Sequence, residues 1–174
     1  MAEPLTPLPD VDHVAVGERE TLVGFLTWYR TVLARKLEGV TEEEARRAAC
    51  PPSDMTLLGL VRHMADVERN WVQQAFLGAP PDPIFYGAAH PDGDDDGDFH
   101  PPPGATVAEA LTAYWAEIAA ADEVYAGAEL DDIEQNGRGE HSLRWILVHL
   151  IEEYARHCGH ADLLRQAIDG QIGD

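Results

Sequence analysis

The sequence predicts an all-α fold, specifically a four-helix bundle. Three features point there. Four long runs carry apolar residues at three- and four-residue steps, which paints a single face of a helix. Helix start and stop signals bracket those runs. No segment of any length shows the apolar–polar alternation of a half-buried strand.

The elements follow in order. Residues 1–17 hold three prolines and no helical period, so they read as an extended arm. The first long helix runs from about Glu18 to Leu37. Its stripe is Leu22, Phe25, Leu26, Tyr29, Val32, Leu33 and Leu37, and Gly39 stops it. Thr41 and Glu44 form a capping box that opens a short helix to about Ala48, ended by Pro51 and Pro52. The second long helix spans about Thr56 to Leu77, with Ser53 and Asp54 as capping candidates. Residues 79–105 are a connection rich in Pro, Gly and Asp, far longer than most bundle loops. Such a length points to function or disorder. Thr106 and Glu109 form a second capping box, starting a third helix that runs to about Ala128. A turn-rich Asn136-Gly-Arg-Gly139 follows. Ser142 then caps a fourth long helix to about Ile168, and Gly170 ends it. Trp71, Trp115, Trp145, Tyr114 and Tyr154 fall at helical spacing and read as core.

The 174 residues amount to one domain, 1–174, with a sizeable core. The charge is the unusual property: 12 Lys and Arg face 32 Asp and Glu, a formal −20. Such a surface repels phosphate backbones and anionic lipid, which argues against nucleic-acid and membrane-surface roles. No apolar run approaches the ~20 residues of a membrane span. The N-terminal MAEPLTPLPDVD lacks the basic and apolar regions of a signal peptide. With only Cys50 and Cys158 and no CxxC, the expected setting is reducing and cytoplasmic. Cys158 reads as a packing residue.

Chemistry concentrates on the fourth long helix, in HLIEEYARHCGH. His149, Glu153 and His157 stand four apart, so each is offset by only about 40° from the last and they share a face. Four-apart donors are the helical way to bite one metal ion. Glu153 with His157 is the favoured pair. On the second long helix, His63 sits among Leu60, Val61 and Met64, where an imidazole must find partners. Side by side, the two helices would complete a two-histidine, one-carboxylate set. That set suits a divalent ion, with Zn foremost and Ni or Fe(II) as alternatives, and it leaves positions open to water or substrate. His149, His160, Glu68 and Asp66 are candidates to orient the ligands or substrate. The acidic run Asp92-Gly-Asp94-Asp-Asp96-Gly97-Asp98 begins like an EF-hand loop, but Pro103 stands where the bidentate Glu belongs. It reads as solvated and disordered.

The runs TLLGLVRHMADVERNW and SLRWILVHLIEEYARHCGHADLLRQAIDG together resemble the DinB-like four-helix superfamily. The resemblance is strongest to an actinobacterial branch of unassigned function, related to mycothiol-dependent maleylpyruvate isomerase. It extends from the first helix to Gly170 and leaves out the acidic stretch 82–103. It implies a metal held by His63, Glu153 and His157, with glutamate where many relatives have a second histidine. It also implies a low-molecular-weight thiol as cosubstrate and an electrophilic small molecule as acceptor; a homodimer is expected chiefly on the non-catalytic alternative below. Arg144, Arg156 and Arg165 are candidates to hold an anionic group, and no sequence feature singles one out. The expected function is a metal-dependent, mycothiol-type thiol S-transferase. The alternatives are a metal-dependent hydrolase and a non-catalytic metal-binding or stress-response protein.

Overall fold

Local chemistry sets the helix boundaries. The structure is a computed structural model and describes residues 7–9, 17–79, 82–134 and 141–173. The turn at Asn136–Gly139 and most of the N-terminal arm lie outside those residues. Helix α1 covers Glu18–Arg35, with Glu18 and Glu20 in its first turn, where the helix dipole favours negative charge. A turn with Gly39 at φ +75° follows. Helix α2, Glu42–Ala45, carries the expected capping box of Thr41 and Glu44. Helix α3, Leu57–Arg69, is capped by Thr56, whose hydroxyl accepts the Gly59 N–H at 3.0 Å. The cap is therefore not Ser53 or Asp54. The Ser53 hydroxyl accepts from Met55 N–H instead, closing a turn before the helix begins.

The expected continuous second long helix changes winding partway. After Arg69 the chain continues as a π-helix over Asn70–Phe76. Such wide turns are rare and occur often near functional sites. The connection to the next helix includes one 3₁₀ turn at Gly87–Ala89. Helix α4, Val107–Gly127, has the expected Thr106–Glu109 capping box. Helix α5, Leu143–Asp169, starts at Ser142 and stops at Gly170, whose φ of +84° is the left-handed conformation glycine adopts freely. Among the described residues no strand forms beyond a single bridge between Ile133 and Ser142. No described helix is long and apolar enough to cross a membrane.

Four long helices, α1, α3, α4 and α5, make the bundle. Helix α3 packs on α4 and α5, and α1 on α5. The Tyr114 hydroxyl of α4 donates to the Arg30 carbonyl of α1 at 2.9 Å, tying α4 to α1. The core is filled by Leu26, Leu33, Leu58, Leu60, Met64, Ile146, Leu147 and Leu150, all essentially inaccessible. Each large side chain buried this way contributes roughly 1.5–3 kcal/mol. Three aromatics expected inside lie at the edge of their stripes: Phe25, Trp115 and Trp145 are 43–44% exposed.

A charged cluster threads this apolar interior. Arg30 donates two parallel hydrogen bonds of 2.7 Å to the two oxygens of Glu68. The Tyr154 hydroxyl donates to the same carboxylate at 2.8 Å. A buried pair this well partnered locks α1, α3 and α5 into one register.

The acidic connection is folded rather than disordered, which corrects that part of the sequence expectation, although Asp92, Asp95 and Asp96 stay exposed. Helix α3 supplies the reason. Asp66 accepts the backbone N–H groups of Ile84 (2.7 Å) and Phe85 (3.1 Å). Arg62 donates to the carbonyls of Gly97 (3.0 Å) and Asp98 (3.2 Å), and its guanidinium lies 4.1 Å from the centre of the Phe85 ring. His100 pairs with Asp94 at 2.7 Å. Net negative charge had signalled disorder, yet anchoring by a buried arginine and a buried carboxylate outweighs it.

Candidate metal centre

Helices α3 and α5 bring His63, Glu153 and His157 together. One ligand atom from each lies within 4.8 Å of the other two. Glu153 and His157 are one helical turn apart, with Oε2 3.4 Å from Nε2. The His63 and His157 rings stand edge to face at 4.8 Å. The three differ in access. His157 is buried, whereas the side chains of His63 and Glu153 are 20% and 16% exposed, so solvent reaches part of the cluster.

Both histidines are held by their other nitrogen. His63 Nδ1 lies 2.8 Å from Asp98 Oδ2. His157 Nδ1 lies 3.4 Å from His160 Nδ1. Burial, with the neighbouring His63 and His160 next in weight, pushes the His157 pKa down to about 3. It is therefore neutral at physiological pH, the form in which an imidazole ligates. Two imidazoles and one carboxylate brought within reach of one another form a donor set that fits one divalent ion.

The remaining candidates fall into place around it. His160 sits against His157. His149 stacks on Trp145 at 5.1 Å and meets Trp71 of the π-helix at 4.4 Å, with Nε2 3.6 Å from Glu153 Oε1. His149, Glu152 and Glu153 also cluster closely enough for a cation. Arg156 already occupies that place, pairing with Glu152 and lying 3.4 Å from Glu153. Glu68 points its carboxylate at Arg30 and Tyr154, and Asp66 holds the connection. Burial raises the Asp66 pKa to about 6, against its two backbone hydrogen bonds.

The three arginines are now distinguishable. Arg165 is buried and donates to the carbonyls of Lys36 and Glu38. Arg144 pairs on the surface with Glu18 and Asp131. Arg156 alone of the three adjoins Glu153. Cys158 is buried beside His157 in sequence, and burial pushes its thiol up to about 12, so it stays protonated.

Sequence reasoning missed Asp98 and Phe99. Asp98 reaches His63 from 35 positions away, and Phe99 stacks on the His63 ring at 4.2 Å and 25°. The one available signal was an Asp-Phe pair closing the acidic run, and its neighbours gave it no periodic context.

Fold and cluster together define a DinB-like helical bundle with a partly open two-histidine, one-carboxylate centre. The mycothiol-S-transferase family matches residues 21–170, so the chain belongs to that family. The matched span runs across the acidic connection that the resemblance had set aside. No curated protein matches the chain.

Proposed function

We propose that the protein is a divalent-metal-dependent thiol S-transferase using mycothiol or a closely similar low-molecular-weight thiol. The observation that carries this reading is the convergence of His63, Glu153 and His157 in a member of the mycothiol-S-transferase family. These three residues hold the ion, with Zn foremost and Ni or Fe(II) as alternatives. When bound, the ion supplies Lewis acidity that makes the cosubstrate thiol ionise near neutral pH, and the thiolate is the nucleophile.

The chain's own groups do the rest. His157 stays neutral in its buried position and remains a donor. Glu153 contributes the single negative charge, so a divalent ion on this set keeps a net positive charge. Phe99, stacked on His63, covers one face of that imidazole. Arg156 stands at the rim, where an anionic part of thiol or acceptor would meet it. The sulfur forms a bond to the electrophilic carbon as the leaving group departs. The partial exposure of His63 and Glu153 favours a reactive centre over a closed structural one.

The test is metal content by elemental mass spectrometry on the wild type, His63→Ala and His157→Ala, followed by a thiol titration. About one ion per chain, lost in both variants, is expected. Added thiol should then change the absorption of the Co(II)-substituted protein, and mycothiol should be conjugated to an electrophilic bimane. A metal-loaded protein indifferent to every thiol would sink the transferase reading, and a wild type that takes up no ion would sink the metal centre as well.

A further inference from the structure

We propose that Asp98 is a positioning residue for this centre: it fixes His63 as the Nδ1–H tautomer and aims Nε2 at Glu153 and His157. The inference rests on the metal reading above but reaches a residue outside the ligand set, on the connection between α3 and α4.

The carboxylate is buried and held at both oxygens. Oδ2 lies 2.8 Å from His63 Nδ1, and Oδ1 accepts the Phe99 N–H at 3.1 Å. An ionised carboxylate can only accept, so the proton between it and His63 belongs to Nδ1. In the neutral ring the lone pair then resides on Nε2. A histidine ligand gains orientation and basicity from such a partner.

The segment that carries Asp98 is fixed to the same stretch of α3 that carries His63. Arg62 donates to the carbonyls of Gly97 and Asp98. The Phe99 ring covers one face of the imidazole. Gly59, one turn earlier, lets the backbone approach so closely that a Cβ there would stand 2.6 Å from the Phe99 carbonyl oxygen. Asp98 is thus delivered by backbone anchors rather than by a mobile side chain. The connection is a structural part of the centre.

Two readouts test this, one of which needs no metal. Nitrogen-15 NMR of the histidine rings in metal-free protein at pH 8.5 reports the tautomer. The wild type should show His63 as Nδ1–H, and Asp98→Ala should shift it toward Nε2–H. Asp98→Asn, whose amide oxygen still accepts, should keep Nδ1–H. Competition titration with Zn(II) alone should show affinity weakened about 10–100-fold in Asp98→Ala and less in Asp98→Asn. An unshifted tautomer in folded Asp98→Ala overturns the proposal. So does a shifted tautomer with wild-type Zn(II) affinity. If Asp98→Ala does not fold, the wild type decides alone, because an Nε2–H His63 there also overturns it. A wild type with the expected tautomer but no Zn(II) uptake overturns the metal reading separately: Asp98 would hold His63 without serving a metal.

Discussion

Replacing Glu68 with Gln separates the core from the site. Glu68 and Arg30 are 0% and 2% exposed in their side chains, and the pair has both charged hydrogen bonds at 2.7 Å. Glutamine keeps the shape and one acceptor oxygen, so the change mostly removes a charge. Among the described residues, Arg30 then retains Asp122 as its one carboxylate partner, at 2.8 Å but 53% exposed. Two charges about 4 Å apart at an effective dielectric near 20 interact by about 4 kcal/mol. Breaking a buried pair by removing one partner typically costs about 3–5 kcal/mol. The two routes agree, and the loss is a large part of the ~5–15 kcal/mol that holds a domain folded. Urea unfolding followed by circular dichroism should show it. Replacing Arg30→Met and Glu68→Leu together with Tyr154→Phe should recover most of the loss, since neither a charge nor the Tyr154 hydroxyl is then stranded. The variant that remains folded should keep its full metal content, because Glu68 faces Arg30 and not His63. A loss below about 1 kcal/mol in Glu68→Gln would show that water reaches the pair, and the argument would fail.

Two further outcomes follow from the same geometry. Gly59→Ala should lower the melting temperature by a few degrees: alanine gains about 1 kcal/mol in helix propensity, but the clash with the Phe99 backbone costs about 1–3 kcal/mol. A higher melting temperature would mean that the connection yields easily. In metal-free protein, acidification should cost stability through His157, whose folded pKa of about 3 lies below its ordinary 6.5. A depressed pKa gives stability that is full above 6.5 and lost as the pH falls toward 3. Asp66 works the other way: its pKa, raised from 3.8 to about 6, gives stability present below 3.8 and lost as the pH rises through 6. Between pH 8 and pH 5 the wild type should lose about 1–2 kcal/mol relative to His157→Gln, a difference that isolates the histidine from Asp66. Parallel unfolding curves across that range would show that His157 is solvated.

The parts legible in the sequence were those set by local spacing. Capping boxes at Thr41 and Thr106 and the glycine stop at 170 each depend on a few adjacent residues, and each formed. The pairing of Glu153 with His157 needs only the pitch of one helix. Glu68 misled because nearness in sequence is not nearness around a helix. Five positions turn about 500°, which leaves it roughly 140° round from His63, facing α1 and the core. Phe25, Trp115 and Trp145 lie at helical spacing, yet a stripe has edges, and its width depends on which helices pack beside it. The π-helix over Asn70–Phe76 keeps an ordinary helical composition, so its wider winding was not readable. Asp98 was hidden for a different reason. Its role comes from Arg62 and Asp66 drawing a loop onto α3, a tertiary arrangement with no period, and its neighbours in the run are ordinary solvated aspartates.

The charge of the centre follows from which carboxylates touch it. The chain carries a formal −20, yet among Glu153, Glu152, Glu68, Asp66 and Asp98 only Glu153 clusters with His63 and His157. Arg156 pairs with Glu152, Arg30 with Glu68, and the backbone of Ile84 and Phe85 with Asp66. Asp98 acts one hydrogen bond away, through an imidazole. Had a second carboxylate reached the donor point, a divalent ion would have been neutralised and would have lost the pull that acidifies a thiol. The neighbouring acids are thus each committed to a cation, a backbone pair or a histidine. Under the proposed function, that arrangement would let a strongly acidic protein present a centre that remains electropositive once an ion is bound.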